Sequence, residues 1–592
     1  MMKSYKYKVL TLGLALIGLA SCSDSFLDKV PDERTEIDTE EKVVQLLVSA
    51  YPESNPAWVG EISSDNLIDN QAPHLPSNPN DKQVESHYNY SSYNKWDDEL
   101  FSFKPAENAT FSEMDSPGQL WGAYYKSIAT VNQALASIDR VCPDGNLSAS
   151  MKAAKGEALL LRAYCHFQLV NIFAKAYKDE EASKNDVGVP YVTEIEDVVT
   201  KKYDRGNVAD VYTKIGKDLE EGLGLVSDIN YKTAPKYHFN TNAAHAFAAR
   251  YYLFSRNYEK VIEHANEVLG TDSTSFQRVV MDLSKFEGCA TLADYANVWH
   301  NPDAKGNLML VDTYSLMQRR IFGYRYSYAG PAASNALMIR SNHSSLWSGF
   351  ICPAILLVNG SLFSSSSSDY GFFSSKVGEH FQYSDKVSGI GYCHQIYRAF
   401  TTNELILERA EAYAMLGRYA DAANDLRWYW NCQLNSMGAA DFKMYVTGKY
   451  IKMMKNSEFE KRGYYAVPEG EDVDVNTNCF RNWDFTQRMS SKFVVPAEAV
   501  PYMNCVNDFR RFETVYDGLR FFDLKRWGID YTHVVGVNKQ RIENNYDDAI
   551  RAIEVPWEAL SAGMDSSRPE VEVDKKAAKA TMNPSSFIVK TK

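Results

Sequence analysis

Ala248-Ala249-Arg250-Tyr251-Tyr252-Leu253, followed by Arg256-Asn257-Tyr258, is the stretch that decides the fold. It lies in residues 244–269 and has an echo in residues 406–430. There Ala410-Glu411-Ala412-Tyr413 precedes Gly417-Arg418-Tyr419-Ala420-Asp421-Ala422. Each segment has small residues inside a first helical run, a short break, and a Tyr that opens a second run. This is the pattern of a tetratricopeptide-like helical hairpin. The alanines let paired helices approach closely, and the Tyr ring fills the gap at the turn. Such units bury their apolar faces by stacking on one another, so more than two are expected.

Moving outward, two stripes supply candidates for the rest. Leu120, Tyr124, Ile128, Val131, Leu135 and Ile138 step by four or three residues, which places one apolar face on a helix. Ala154, Ala158, Leu161, Cys165, Leu169 and Ile172 do the same. Short connections between such helices favour antiparallel neighbours. Residues 53–108 are rich in Asn, Ser, Pro and Tyr and are expected to form long loops over a core. Residues 271–400 change character. They contain the run Ser364-Ser365-Ser366-Ser367-Ser368, the Gly- and Tyr-rich strings Gly323-Tyr324-Arg325-Tyr326-Ser327-Tyr328 and Gly389-Ile390-Gly391-Tyr392, and a β-prone run at 308–311. The fold expected is mainly α: helical hairpins forming one scaffold, with a loop-rich insertion and a few short β-strands. Loops on a rigid scaffold are where binding residues concentrate.

The chain has 592 residues, 45% of them hydrophobic and 23% charged, with a formal net charge of -13. That composition excludes disorder, a collagen-like repeat and a small disulfide scaffold. The acidic balance argues against nucleic acid as a partner, because phosphates need Lys and Arg. Length alone suggests roughly four domains; the repeat pattern instead suggests one large fold.

The N-terminus carries Lys3, Lys6 and Lys8, then an apolar core over residues 9–20, then Leu19-Ala20-Ser21-Cys22. The core is too short to span a bilayer as a helix, and the pattern is that of a secretory signal. Small residues before Cys22 are what lipoprotein signal peptidase requires. Residues 1–21 are therefore expected to be removed, leaving Cys22 as the acylated N-terminus and the net charge near -16. Such a chain is anchored to a membrane without crossing it. Eight further cysteines show no CxxC spacing and are expected to be small buried hydrophobes for the most part.

No HExxH, GxSxG, Walker A or GxGxxG string occurs, and the 11 His are scattered singly. The run Asp472-Val473-Asp474-Val475-Asn476-Thr477-Asn478 resembles the start of a calcium loop. It lacks the Gly at the sixth position and has Trp483 at the twelfth, where a bidentate Glu belongs. No catalytic residue, metal ligand or cofactor is assigned. Loop-borne aromatics are the better lead, because Trp and Tyr rings held on loops can stack on a ligand, whereas aromatics on a helix face are usually core. The candidates are Trp96, Tyr324, Tyr326, Tyr328 and Trp347. Alternation at 324, 326 and 328 equally suits a strand with one buried face.

Several strings together resemble the SusD/RagB family of outer-membrane nutrient-binding lipoproteins. Cys22-Ser23-Asp24-Ser25-Phe26-Leu27-Asp28-Lys29-Val30-Pro31 is similar to the family's opening. Residues 157–170, Glu-Ala-Leu-Leu-Leu-Arg-Ala-Tyr-Cys-His-Phe-Gln-Leu-Val, resemble its best-kept helix, and Gly188-Val189-Pro190-Tyr191 follows. Residues 513–528, Glu-Thr-Val-Tyr-Asp-Gly-Leu-Arg-Phe-Phe-Asp-Leu-Lys-Arg-Trp-Gly, resemble its C-terminal signature, with Ile553-Glu554-Val555-Pro556 after it. Asp517 and Leu519 depart from the usual Glu and His. Arg520, Asp523 and Arg526 are expected to form a structural ion-pair network, and Arg162 to satisfy a carboxylate or carbonyls between helices.

The resemblance implies a SusD-like fold, with an N-terminal region over 22–235 and a C-terminal region over 236–592 packed together. It implies a lipid-anchored protein of the cell outer membrane, exposed at the cell surface, that binds an oligosaccharide and delivers it to a SusC-like TonB-dependent transporter. A peptide cargo is the alternative, and a lipid-anchored glycan hydrolase is a further one without motif support.

Overall fold

Ser116 opens the first long helix. Its Oγ accepts from the Gln119 N–H at 3.0 Å, and Pro117 takes the first helical position, where no N–H is needed. The computed structural model describes residues 37–69, 94–106, 109–195, 203–286, 289–322, 325–329, 357–359, 371–434, 492–529, 531–535, 540–543 and 548–568. The expected lipid attachment at Cys22, the candidates Tyr324 and Trp347, and the acidic run 472–478 lie outside these residues.

Among the described residues, nine helices form the spine: α1 (Pro117–Val141), α2 (Ala149–Phe173), α3 (Val208–Leu223), α4 (Thr241–Phe254), α5 (Tyr258–Leu269), α6 (Thr402–Met415), α7 (Tyr419–Leu434), α8 (Val500–Glu513) and α9 (Leu519–Trp527). They pack in succession, α1 on α2, α2 on α3, α3 on α4, α4 on α5, α5 on α6, and α6 on both α7 and α8. The expected mainly α scaffold of stacked hairpins is what the structure has.

The two repeat hairpins share a backbone device. Two residues before the opening Tyr, Arg256 has φ +65° and Gly417 has φ +74°. The turn needs a left-handed residue, and only one hairpin supplies glycine. Arg256 is held there by its guanidinium, which donates to the Lys492 and Tyr177 carbonyls at 3.0 and 3.3 Å. Ala248, Ala249, Ala410 and Ala412 are fully buried. Arg409 ties neighbouring hairpins together: it donates twice to Asp425 at 2.8 Å and once to the Gly270 carbonyl at 2.6 Å.

Helix α2 is more central than one stripe implies. Every residue from Gly156 to Phe173 is buried, because neighbours cover all of its faces. Its polar side chains are consequently paired. Arg162 donates to both Asp218 oxygens at 2.6 and 2.8 Å and to Asn132 at 3.1 Å, as expected of an inter-helix arginine. Lys525 donates to the Asn171 and Ala174 carbonyls at 2.6 and 2.5 Å, a cation at the negative end of the helix.

His166 sits inside α2 with both nitrogens used. Nδ1 lies 2.9 Å from the Arg162 carbonyl, and Nε2 accepts from the Val192 N–H at 3.0 Å. Its ring stacks on Tyr191 at 3.8 Å. Burial pushes its pKa down to about 3, so the native ring stays neutral where the unfolded one, near 6.5, takes a proton. Stability is therefore full above pH 6.5 and falls as pH drops below it. Relative to His166→Gln, the wild type should lose up to about 1.4 kcal/mol per pH unit between pH 6.5 and 5. Urea unfolding of both proteins at several pH values checks this, and a pH-independent difference would refute it.

The signature helix α9 is buried along its whole length. Asp523 accepts from Arg510 at 2.8 Å and from Arg526 at 2.9 Å, and Arg526 reaches Glu411 of α6 at 2.6 Å. The expected network needs one correction. Arg520 does not join Asp523; it donates to Asp65 at 2.7 and 2.9 Å and to Asn507 at 2.6 Å. It thereby ties the signature to the N-terminal part of the chain.

Strands are β1 (Ile68–Asp69), β2 (Asn307–Tyr314), β3 (Tyr326–Ala329), β4 (Leu357–Asn359), β5 (Gly371–Phe373), β6 (Glu379–Asp385), β7 (Ile390–Thr401), β8 (Thr532–Val535) and β9 (Gln540–Glu543). One sheet has the order β4-β5-β3-β1-β8-β9, with β1 parallel to β8. The other is antiparallel, β2-β7-β6, with Tyr314 opposite His394 and His380 opposite His394 on its other side.

Two expectations are corrected here. Residues 53–108 are not loops throughout, since they contain the helices Ala57–Ile62 and Lys95–Phe101. The 271–400 insertion is more regular than expected, with helices at Ser273–Val279, Leu292–Trp299 and Met317–Phe322 and a 12-residue strand, β7. Cys165, Cys393, Cys432 and Cys505 are buried, and Cys142 and Cys289 are partly exposed. No helix among the described residues is long and apolar enough to cross a membrane.

Candidate functional site

Of the aromatic candidates, two have described side chains, and both face inward. Trp96 is not on a loop. It lies in the helix Lys95–Phe101, whose start is fixed by Asp97 accepting from the Asn94 N–H at 3.0 Å. Its ring is fully buried, with the Arg320 guanidinium 4.5 Å above it. Arg320 in turn pairs with Asp97 at 2.9 Å and Asp115 at 3.1 Å. The Asn94-to-Asp97 spacing is a capping box, the signal that identifies this segment as a helix. Tyr326 is also buried, against Phe101 at 4.8 Å, with its hydroxyl on Asp98. It follows the buried-strand reading of the 324–328 alternation. Tyr328 lies in β3 opposite Phe372. Neither Trp96 nor Tyr326 offers a ring face to solvent.

The exposed aromatic surface lies on the β2-β7-β6 sheet, where β6 and the start of β7 form a hairpin that stands clear of the core. Ser388 and Val387 at its turn are pinned by Asp385, and Val387 is almost wholly exposed. Side chains alternate across a sheet, so register sorts the residues into two faces.

On one face lie Asp312 and Tyr314 of β2, Tyr392 and His394 of β7, and His380 and Gln382 of β6. Their rings form a continuous run. Tyr392 is 5.4 Å from Tyr314, Tyr314 is 4.6 Å from His394, and His394 is 5.2 Å from His380. Cross-strand ring pairs of this kind stiffen a sheet. Tyr392 is half exposed, His394 is buried beneath the run, and Asp312 and His380 are exposed. Asp312 Oδ1 lies 3.0 Å from His394 Nδ1. The N-terminal part of the chain borders this face: the Tyr314 N–H donates to the Glu53 carbonyl at 2.9 Å, and Glu53 pairs with Lys126 at 2.8 Å. Burial, then the Glu53 carboxylate, raise the Tyr314 pKa, which keeps its hydroxyl neutral.

The reverse face carries Phe381 and Tyr383, both exposed, with ring centres 4.9 Å apart. Gly391 makes room for them. A Cβ there would come 2.7 Å from the Phe381 ring and 2.1 Å from the Gln382 carbonyl oxygen.

The first face combines flat, half-open rings with a carboxylate, an amide and a lysine at its edges. That set can hold a ring with apolar faces and a polar rim without reacting with it. None of its residues was picked out as a binding candidate from the sequence. The available signal was the alternation His380-Phe381-Gln382-Tyr383 with Tyr392-Cys393-His394 across a Gly-containing turn. Its partner strand β2 carried only the β-prone run at 308–311.

The comparisons with known proteins agree with this architecture. A family described as "SusD-like_3: Starch-binding associating with outer membrane" matches residues 25–253. A SusD superfamily protein from Bacteroides vulgatus superposes with a TM-score of 0.52 at 17% identity, covering 90% of this chain and 99% of its own. One from Bacteroides thetaiotaomicron gives 0.51 at 16%, covering 89% and 99%. One from Bacteroides fragilis gives 0.52 at 15%, covering 90% and 99%. No curated protein matches the chain. Identities this low speak for the fold alone, which is SusD-like over nine-tenths of the chain; the family match adds that residues 25–253 are similar in sequence to SusD-like proteins.

Proposed function

We propose that this chain is a lipid-anchored outer-membrane protein that captures an oligosaccharide and passes it to a SusC-like TonB-dependent transporter. The observation that carries this reading is the set of solvent-facing rings Tyr392, Tyr314 and His380, linked through the buried His394 and edged by Asp312 and Gln382. Sugar rings lay their C–H faces on such aromatics, and their hydroxyls bond to the carboxylate and amide. A SusD-like protein from Bacteroides vulgatus with the same overall fold is described as carbohydrate binding, which supports the same class of cargo. Anchoring is assigned to acylation of Cys22, and the chemistry is capture and hand-off with no bond broken.

Calorimetry against a panel of oligosaccharides tests the reading. Tyr392→Ala, at an exposed position that the fold does not need, should weaken binding about tenfold, or about 1.4 kcal/mol. Binding of peptides with no glycan bound would replace the carbohydrate reading by the peptide one. Turnover of a glycan by the pure protein, abolished by one carboxylate substitution, would establish the hydrolase. Co-purification with a barrel under mild detergent tests the partner, and a chain that never co-purifies would count against it.

A further inference from the structure

We propose that Asp312, His380 and His394 hold a divalent transition-metal cation, with Zn2+ as its type. One donor atom from each of the three lies within 4.8 Å of the other two. Asp312 Oδ1 is 3.0 Å from His394 Nδ1 and 3.7 Å from His380 Nε2. Two ligands about 2.0–2.1 Å from a common ion, at octahedral or tetrahedral angles, stand about 3.0–3.4 Å apart. The first spacing already meets this, the second needs a shift of a few tenths of an ångström, and the two imidazole donors, which lie within 4.8 Å of each other, close to that range as the ion binds. His380 is the side chain free to make it, being about half exposed.

The donor set names the class of ion. Two imidazoles and one carboxylate suit Zn2+, Ni2+ or Cu2+, whereas Ca2+ and Mg2+ take oxygen ligands. The backbone holds the three donors in place. They come from three adjacent strands, with His380 directly opposite His394 and Asp312 two residues before Tyr314, the other neighbour of His394. Sites built on strands are held more closely than sites on loops. Three protein ligands leave a coordination position open. Asp312 and His380 are exposed, so that position faces solvent, where a hydroxyl or carboxylate oxygen of a bound molecule can enter it.

This assignment stands apart from the glycan reading, although the two share a sheet face. Zn2+ uptake without glycan binding would overturn only the latter, and glycan binding by metal-stripped protein without Zn2+ uptake would overturn only the former. The test is Zn2+ titration of the untagged mature chain in detergent after EDTA treatment. One Zn2+ per chain is expected. His380→Ala should weaken Zn2+ binding at least tenfold with unchanged circular dichroism, since the side chain is exposed and packs no core. Asp312→Asn should weaken it comparably. Failure of the wild type to take up stoichiometric Zn2+, or uptake unchanged in His380→Ala, would overturn the proposal.

Discussion

Asp523→Ala is expected to destabilise the protein by about 3–5 kcal/mol, the range for breaking a buried ion pair from one side. Burial opposes the charge of this carboxyl, yet Arg510 and Arg526 outweigh it and hold its pKa below the ordinary value. Both arginines are themselves buried, and Asp523 is the one carboxylate that bonds to each of them, at 2.8 and 2.9 Å. After truncation Arg526 keeps Glu411, but Arg510 keeps only Glu404 and Glu408 at 3.7 and 3.9 Å, distances beyond a hydrogen bond. A guanidinium left buried in that state loses its compensation. The control is an exposed pair, Lys184 with Glu181, whose removal should cost under about 1 kcal/mol. Urea unfolding of both variants checks the contrast, and an equal, small loss would refute it.

That network marks how far the sequence was legible. The hairpins could be read because their signal is local: Ala248 and Ala410 inside a first helix, Tyr258 and Tyr419 opening a second, all within about 25 residues. Arg162 could be read as an inter-helix arginine because a cation within the apolar half of a helix must find a partner. Its partner Asp218 could not, since nothing local links residues 56 positions apart. The same limit separates Arg520 from Asp65. Within the signature, three charges at helical spacing suggested one network, but the N-terminal segment packs onto α9 and takes Arg520 away.

The site was less legible than the scaffold for a related reason. Trp96 looked loop-borne because its neighbourhood is polar and aromatic. A buried salt bridge from Arg320 to Asp97 shows instead that those polar residues face inward. His380 and His394 are singletons in the sequence, fourteen residues apart, and become a pair only through the register of β6 on β7. Strand register follows from which face is buried and from the turn. Here the outer half of the hairpin is exposed on both faces, so composition alone carries little register information.

Gly518→Ala should produce a loss of comparable size, by crowding instead of by charge. Gly518 has φ +77°, a conformation that costs an L-residue about 1–2 kcal/mol. A methyl there would also come 2.6 Å from Ala57 Cα and 2.8 Å from the Ala57 carbonyl oxygen. Those atoms are backbone and cannot turn aside, so the helix Ala57–Ile62 must move. Moving it also strains the bond from the Gly518 N–H to Glu61 at 3.1 Å. Overpacking of this kind costs about 1–3 kcal/mol, which brings the expected total to about 2–5 kcal/mol. The facing residue, Gly60, is equally constrained, since its Cβ would lie 2.0 Å from the Gly518 carbonyl oxygen. Gly60→Ala should therefore be destabilising too. The double variant should cost less than the sum of the two, because one separation of the segments relieves both clashes. Urea midpoints of the single and double variants measure this directly. Full additivity would mean that the two glycines do not share one contact, and a Gly518→Ala midpoint equal to the wild type would mean that the segments part without cost.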